Sequence, residues 1–169
     1  MMKSVFAFAL LGSILVILLL SIDVKEDLIV LSHYNPEKKP LEIDLEKYAC
    51  SECGTPIRSL FNSSQAIMQD GTTYFFDDLG CLCLWLNRQK EKDSITVWVY
   101  TEDTERYILA QNAWYSRTTA SPIGYGFGAY EIRLYGKADY YFDEIRLFAI
   151  RGETMLHPMI NALLLENKI

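Results

Sequence analysis

The first pattern along the chain is an apolar run at residues 5–22, which contains 18 residues and no charge. A helix of that length extends about 27 Å at 1.5 Å per residue, close to the thickness of a bilayer's hydrocarbon core. Lys3 precedes the run and Asp23 follows it, an order that retains the N-terminus in the cytoplasm and exports the rest. We therefore expect residues 1–22 to be a signal anchor or transmembrane helix of the inner (cytoplasmic) membrane, with a cleaved signal peptide as the alternative.

The segment after this run, residues 23–46, contains prolines and clustered charges and predicts a tether with a short strand at residues 28–31. The tether leads to a globular domain at residues 47–169, expected on the periplasmic or extracytoplasmic side. Asp70-Gly71 predicts a hairpin turn within this domain. Alternating, β-branched and aromatic stretches predict strands at residues 66–68, 72–76, 94–100, 107–109, 113–116 and 130–135.

Two helices follow from the same patterning. The first begins at a cap, Asp77 or Asp78, and its apolar residues recur at helical spacing through Leu86. The second is predicted at residues 159–166, after Pro158, which suits the first turn of a helix. Strands and helices together indicate an α+β fold.

Two six-residue segments resemble each other: residues 74–79 (YFFDDL) and residues 140–145 (YYFDEI), which lie 66 positions apart. The match indicates an internal duplication of a strand–strand–helix unit, with halves at residues 47–116 and 117–169. Chance is the alternative, because aromatic strand ends before acidic helix caps are common. We predict a compact domain of repeated ββα-type units that follows one N-terminal transmembrane helix.

The composition and motifs of the chain argue against two classes of function, nucleic-acid binding and catalysis. The chain carries 22 acidic and 16 basic residues, a net charge of −6, and an acidic surface argues against nucleic acid as a partner. The sequence has only two histidines, and it contains no Gly-x-Ser-x-Gly, His-Glu-x-x-His or phosphate-loop motif. We therefore expect a protein that is not an enzyme.

The candidate chemistry begins at Cys50 and Cys53, which form a Cys-x-x-Cys-Gly motif with Gly54. Such a turn brings two thiolates within reach of one soft metal ion or of each other. Thiolates select Cu(I), zinc or iron–sulfur centres over hard ions. The alternatives to copper binding are a thiol–disulfide oxidoreductase and a structural zinc module. The residues after Gly54 indicate a loop rather than a helix start, which argues against a thioredoxin-like motif.

Cys81 and Cys83 both lie on the first predicted helix. Residues two apart on a helix point about 200° from each other, so both of these side chains cannot face one ion. Cys81 or Cys83 alone could approach the ion as a ligand. Their small size and apolar neighbours favour the other interpretation, that both are core residues.

Thioethers and imidazole also suit Cu(I). Met68 precedes the predicted hairpin turn, and Met155, His157 and Met159 alternate near the C-terminus. These four residues are further candidate metal ligands, and the alternative for the C-terminal three is packing at the start of a helix.

Several short motifs occur in a fixed order between residues 48 and 128. Their positions are Cys50, Cys53, Gly54, Asp70, Gly71, Phe76, Asp77, Asp78, Leu79, Gly80, Cys81, Trp85, Val99, Ala110, Ala113, Trp114, Tyr115 and residues 121–126. Each motif alone is weak, and in series they resemble the NosL family of exported copper chaperones that assist maturation of nitrous oxide reductase. The resemblance implies Cu(I) binding, delivery of copper to the reductase, and a compact α+β fold with repeated ββα-type units.

Two positions depart from the family's pattern. Thr55 and Ile123 stand where the family usually has methionines, so two soft thioethers are lost. The family's lipid-modified cysteine is also missing, and the apolar helix at residues 5–22 would replace it as the anchor. Met68 or the C-terminal methionine–histidine cluster is then the candidate replacement for the lost ligand.

The prediction from sequence is therefore a membrane-tethered Cu(I) chaperone in which Cys50 and Cys53 bind the ion as thiolates, with zinc as the alternative metal. The expected partners are an apo-cuproenzyme such as nitrous oxide reductase, its maturation machinery and, through the N-terminal helix, the membrane.

Overall fold

An antiparallel sheet of five strands forms the central layer of residues 28–169, the part of the chain that the computed structural model describes. The strands are β1 (Leu31–Ser32), β2 (Ser64–Ile67), β3 (Thr73–Phe76), β4 (Thr96–Tyr100) and β5 (Tyr107–Leu109). They lie in the order β1-β3-β2-β4-β5, so the first strand is at one edge beside the third.

A second antiparallel sheet of two strands and three α-helices complete the described fold. The strands are β6 (Trp114–Ser116) and β7 (Gly128–Tyr130), and the helices are α1 (Leu79–Asn87), α2 (Phe142–Arg151) and α3 (Pro158–Leu165). Two short 3-10 turns occur at Lys92–Ser94 and Ala110–Asn112. The domain is therefore the mixed α+β domain that the patterning predicted.

The hairpin between β2 and β3 is the turn that Asp70-Gly71 predicted. Asp70 Oδ1 accepts a hydrogen bond from the Thr72 amide at 2.9 Å. Gly71 adopts φ +86°, and a Cβ there would lie 3.0 Å from the backbone of Asn35. Glycine is required at this position because it alone fits both the left-handed conformation and the close approach.

Helix α1 begins where the predicted cap lies. Asp78 is the N-cap, and its Oδ1 accepts a hydrogen bond from the Gly80 amide at 2.8 Å. Leu79, Leu82 and Leu86 are buried, and α1 packs against β2, β3 and α2. The apolar periodicity therefore sets which side of α1 faces the sheet.

The strand predicted at residues 130–135 is wrong, since the observed strand β7 ends at Tyr130. The carboxylate of Asp103 accepts hydrogen bonds from the amides of Glu131 and Ile132, at 3.0 and 2.9 Å. These two amides are thereby satisfied by a side chain instead of a neighbouring strand, which ends the ladder.

The two segments that resemble each other, residues 74–79 and 140–145, both lead into a helix, α1 and α2 respectively. In the second segment Tyr140 pairs with Tyr115 of β6 as an isolated antiparallel bridge, whereas β3 pairs along its full length with β2. A duplication of the chain at these segments remains a prediction.

Residues 28–46, predicted to belong to a tether, lie against the large sheet. The Trp98 indole N–H donates to the carbonyl of Lys38 at 2.9 Å. The side-chain amide of Gln65 makes two hydrogen bonds to the backbone of Leu41, at 2.8 and 2.7 Å. The predicted strand at residues 28–31 appears as β1, which is shifted to Leu31–Ser32. This part of the chain is therefore folded into the domain.

Within residues 28–169, every α-helix is too short or too polar to cross a bilayer. The predicted signal anchor or transmembrane helix at residues 1–22 lies outside the described residues.

Candidate metal centre

The Cys-x-x-Cys loop is closed by its own backbone. The amide of Cys50 donates to the carbonyl of Thr55, and the amide of Gly54 donates to the carbonyl of Cys50, each at 2.8 Å. Gly54 has φ +76°, a conformation that glycine adopts without steric cost. The loop therefore folds back so that Cys53 lies near Cys50, as the glycine-terminated motif predicted.

Hydrogen bonds fasten this loop to β3. The Ser51 amide donates to the Phe75 carbonyl at 2.7 Å, and the Ser51 hydroxyl oxygen accepts from the Phe75 amide at 3.1 Å. The same hydroxyl donates to the Val30 carbonyl. Glu52 forms a two-point ion pair with Arg88, the residue that caps the end of α1. The loop is thus held at a defined position relative to both β3 and α1.

Four side chains converge beside this loop. Cys50, Cys53, Asp77 and Cys81 each offer one donor atom, and these atoms all lie within 4.8 Å of one another. Two sulfur atoms that share one zinc ion at about 2.3 Å lie at most about 4.6 Å apart. The group therefore needs little movement to close around a single ion.

Three separate elements supply the four residues. Cys50 and Cys53 come from the loop, Asp77 follows the last residue of β3, and Cys81 lies in the first turn of α1. Cys50 and Cys81 are each 1% exposed and Asp77 is 2% exposed, whereas Cys53 is open to solvent. Three of the four residues are therefore buried, and the group is accessible at Cys53.

The thiols of the group differ in their acidity. A hydrogen bond with the Cys81 thiol lowers the pKa of Cys50, against the opposing effect of burial. The same hydrogen bond, followed by burial, raises the pKa of Cys81, and burial raises the pKa of Cys53. Negative charge in the metal-free group is therefore favoured on the buried sulfur of Cys50.

Asp77 brings a carboxylate into the group. Its Oδ1 lies 3.7 Å from the Sγ of Cys53 in a weak thiol hydrogen bond. Its Oδ2 is buried and has no hydrogen-bond partner among the described residues. A buried carboxylate oxygen without a donor is costly, so this atom favours occupation of the site by a cation.

Asp77 also lines a surface pocket. The other lining residues are Thr55, Pro56, Arg58, Ser59 and Pro122. This pocket opens at the carboxylate of Asp77, and no cysteine of the group lines it.

Cys83 lies outside the group. It is fully buried on α1, and this burial raises the pKa of its thiol. The expectation that Cys81 and Cys83 cannot both face one ion is confirmed for this group, because their side chains leave the helix in different directions. Cys81 packs in the core as expected, and its sulfur also lies among the candidate ligands.

The two positions that lack the family's methionines have different surroundings. The Thr55 hydroxyl accepts a hydrogen bond from the Cys53 thiol at 3.3 Å. Ile123 packs against the core, and its amide donates to Asp78 Oδ2 at 3.0 Å. Thr55 therefore borders the group with an oxygen where a thioether was expected, and Ile123 helps to hold its own loop against the start of α1.

Met68 lies at the other end of the hairpin. Its amide donates to the Thr72 carbonyl at 2.8 Å, and its side chain packs against the core. Asp77 lies four residues beyond Thr73, which corresponds to about 13 Å along a strand. The structure therefore does not bring Met68 to the cysteine group.

The C-terminal candidates surround the start of α3. Met155 lies against Gly126, where a Cβ would be 2.7 Å from its sulfur. His157 is the N-cap of α3, is exposed and is not part of the four-residue group, and Met159 is 65% exposed. His157 lies outside the group of converging donors, and the role of all three residues as ligands remains a prediction.

Sequence reasoning missed the position of Asp77 and undervalued Cys81. Asp77 was one of two candidate caps, and the cap is Asp78. The available signal was the pair itself, because only one of two adjacent acids can cap a helix and the other must find a different partner.

The chain is similar to a known protein in its structure and not in its sequence. No protein-family profile matches the chain, and no curated protein matches it. By structure, the protein is similar to the crystal structure of the copper chaperone NosL from Shewanella denitrificans, with a TM-score of 0.52 and 19% sequence identity. The match covers 63% of this chain and 95% of that chain.

The chain has a NosL-like fold. The resemblance that the motif series indicated is therefore confirmed for the fold. At 19% identity the likeness carries no information about ligands, so the chemistry of the site rests on the four residues that converge in this chain.

Proposed function

We propose that this protein is a copper chaperone that binds one Cu(I) ion at the cysteine group and passes it to a partner protein. The observation that carries the proposal is the approach of the Cys50 and Cys53 sulfurs to within 4.8 Å, with Cys53 open to solvent. Both would bind as thiolates, which Cu(I) prefers over oxygen ligands. The NosL-like fold supports the proposal of a copper chaperone and not the choice of ligands.

Transfer follows from the accessibility of the site. A ligand of the acceptor approaches the ion from the exposed side and forms a bond before the next bond to this protein breaks. The copper ion stays in the same oxidation state, and no free ion is released. We propose an apo-cuproenzyme such as nitrous oxide reductase, or its maturation machinery, as the acceptor.

The proposal also covers where the protein is located and that it has no catalytic role. We propose that residues 1–22 anchor the chain in the inner membrane and that the domain lies on the periplasmic or extracytoplasmic side. The motif series and the length of the apolar run at residues 5–22 support this arrangement. The protein would carry its metal as cargo and would not be an enzyme.

A thiol–disulfide oxidoreductase is less well supported. Its attacking cysteine is usually exposed, has a lowered pKa and lies at the start of a helix. Here the exposed thiol, Cys53, has a raised pKa, and the thiol with a lowered pKa, Cys50, is 1% exposed. The loop leads through Gly54 into extended backbone rather than into a helix.

A structural zinc module is the second candidate, and Asp77 is the observation that favours it. Three thiolates and one carboxylate are a donor set that tetrahedral zinc accepts. This alternative expects zinc to co-purify and chelators to unfold the domain, since binding and folding would be coupled.

Anaerobic Cu(I) titration against a competing chelator tests the proposal. We expect the reduced domain to take up one equivalent of Cu(I), and the double variant Cys50→Ser/Cys53→Ser to lose this site. Equally tight binding by the double variant would refute the assignment. Co-purified zinc together with unfolding in chelator would instead support the structural module.

A further inference from the structure

We infer that Cys81 is a third thiolate ligand, that Cys50 and Cys81 form a buried pair that retains the ion, and that Cys53 is the ligand released first to an acceptor. This inference rests on the proposed function and adds a residue and an order of events to it.

The position of Cys81 is set by packing before any metal binds. Asp78 caps α1, and the buried Leu79 and Leu82 fix the rotation of the helix. The preceding Gly80 lies directly under the ring of Tyr125, where a Cβ would meet the ring at 2.0 Å. Because α1 cannot turn about its axis without breaking these contacts, the Cys81 sulfur is held among the other donors.

Cys81 is also the appropriate donor for a soft ion. The other donors at the site, Asp77 in the group and Thr55 at its border, offer oxygen atoms. Cu(I) prefers thiolates and thioethers to oxygen. Cys81 offers the only third sulfur in the four-residue group, so it would complete a trigonal site around an ion held by Cys50 and Cys53.

The unequal burial of the three cysteines sets the order in which their bonds to copper are replaced. Cys50 and Cys81 are each 1% exposed, whereas Cys53 lies at the surface. Because Cys53 is the exposed cysteine of the group, an incoming sulfur ligand meets the ion at the Cys53 side, and the Cys53–copper bond is the first to be replaced. Copper remains Cu(I) throughout, and the released thiolate takes up a proton from water.

Cu–S coordination in the unmodified domain is the first test, because it needs no variant. We expect X-ray absorption of the reduced, copper-loaded protein to report three sulfur neighbours. Two sulfur neighbours would overturn the assignment of Cys81.

Cys81→Ser is the second test, and Cys83→Ser is its matched control on the same helix. We expect Cys81→Ser to lower Cu(I) affinity by at least about tenfold, the loss seen even for residues that only orient metal ligands. Cys83→Ser also removes a buried thiol from α1 but leaves the group intact, so its affinity should equal that of the wild type. Equal affinity of the two variants would overturn the assignment.

The order of release is tested by alkylation of the copper-loaded protein in the presence of bicinchoninate as the competing acceptor. We expect iodoacetamide to modify Cys53 while Cys50 and Cys81 stay protected, as mapped by mass spectrometry. Modification of all three at one rate, or of Cys50 first, would overturn the order.

The outcomes separate this inference from the proposed function. If Cys50→Ser/Cys53→Ser still binds copper, the proposed function fails. If that double variant loses copper while Cys81→Ser binds like Cys83→Ser, only the role of Cys81 fails.

Discussion

Two regions of the molecule carry soft candidate ligands, and they differ in how those ligands are arranged. The cysteine group draws four residues from a loop, a strand end and a helix, within 4.8 Å. The C-terminal segment from Met155 to Met159 supplies three candidates from five consecutive residues, and two of them are exposed.

The difference shows that donor atoms from residues far apart in sequence can converge on one point. Alternate residues of one short segment point in different directions unless the surrounding fold turns them toward a common point. In the cysteine group, side chains that are far apart in sequence face one another because β3 and α1 are packed together. Substitutions in each region test this contrast, and Tyr125 connects the two regions.

The largest effect is expected from Gly80→Ala, which tests how tightly the cysteine region is packed. The new Cβ would lie 2.0 Å from the Tyr125 ring. Overpacking of this severity costs about 3 kcal/mol, and the higher helix propensity of alanine returns about 1 kcal/mol. We expect a net loss of about 2 kcal/mol, measured by denaturant unfolding.

Gly152→Ala provides the matched control at the end of α2. Gly152 has φ +71°, and a Cβ at this position would have no neighbouring atom within 4 Å, so only backbone conformation is affected. The expected loss is about 1 kcal/mol. If both variants lose the same stability, the cysteine region is no more tightly packed than the C-terminal one.

Asp77→Asn separates the two candidate metals. Zinc accepts carboxylate oxygen, whereas Cu(I) prefers sulfur, so the variant should weaken zinc binding by about tenfold and Cu(I) binding by less. Competition titrations with each metal measure both effects. An equal loss for the two metals would show that Asp77 acts through its charge rather than as a selective ligand.

Ionisation of Tyr125 is expected to have a smaller effect on the stability of the fold, and this effect depends on pH. Burial, followed by the nearby Cys81 and Asp78, raises its pKa to about 12. Because the folded state favours the neutral phenol, this contribution to stability is complete below about pH 10, the usual tyrosine pKa, and is lost as the pH rises through 12.

Denaturant midpoints between pH 9 and 12 measure this contribution. The wild type should lose more stability over that range than Tyr125→Phe, which has no ionisable group at this position. Parallel curves for the two proteins would contradict the raised pKa.

The smallest effect is expected from the triple variant Met155→Ala/His157→Ala/Met159→Ala. His157 lies outside the four-residue group, Met159 is 65% exposed and Met155 packs against Gly126, so Cu(I) affinity should change by less than twofold, about 0.4 kcal/mol. Chelator competition at equal protein concentration is the measurement. A tenfold loss would show that this segment folds over the site and provides a ligand.

Much of the fold was predictable because it depends on local signals. The Asp70-Gly71 turn, the helix after Asp78, the strand at Tyr107–Leu109 and the loop closed at Gly54 each follow from residues close in sequence. The strand predicted at residues 130–135 failed because the amides of Glu131 and Ile132 are bound by Asp103, 28 and 29 positions away.

The candidate site also has parts that follow from the local sequence and parts that depend on tertiary packing. The sequence by itself determined that Cys50 and Cys53 meet across a glycine-terminated turn, and that only one of Cys81 and Cys83 can face them, because chain geometry dictates both. Only the tertiary structure decided that Cys81, and not Cys83, faces this pair and that Asp77 lies beside it. That choice depends on the rotation of α1 against the sheet, which is set by packing among residues far apart in the chain.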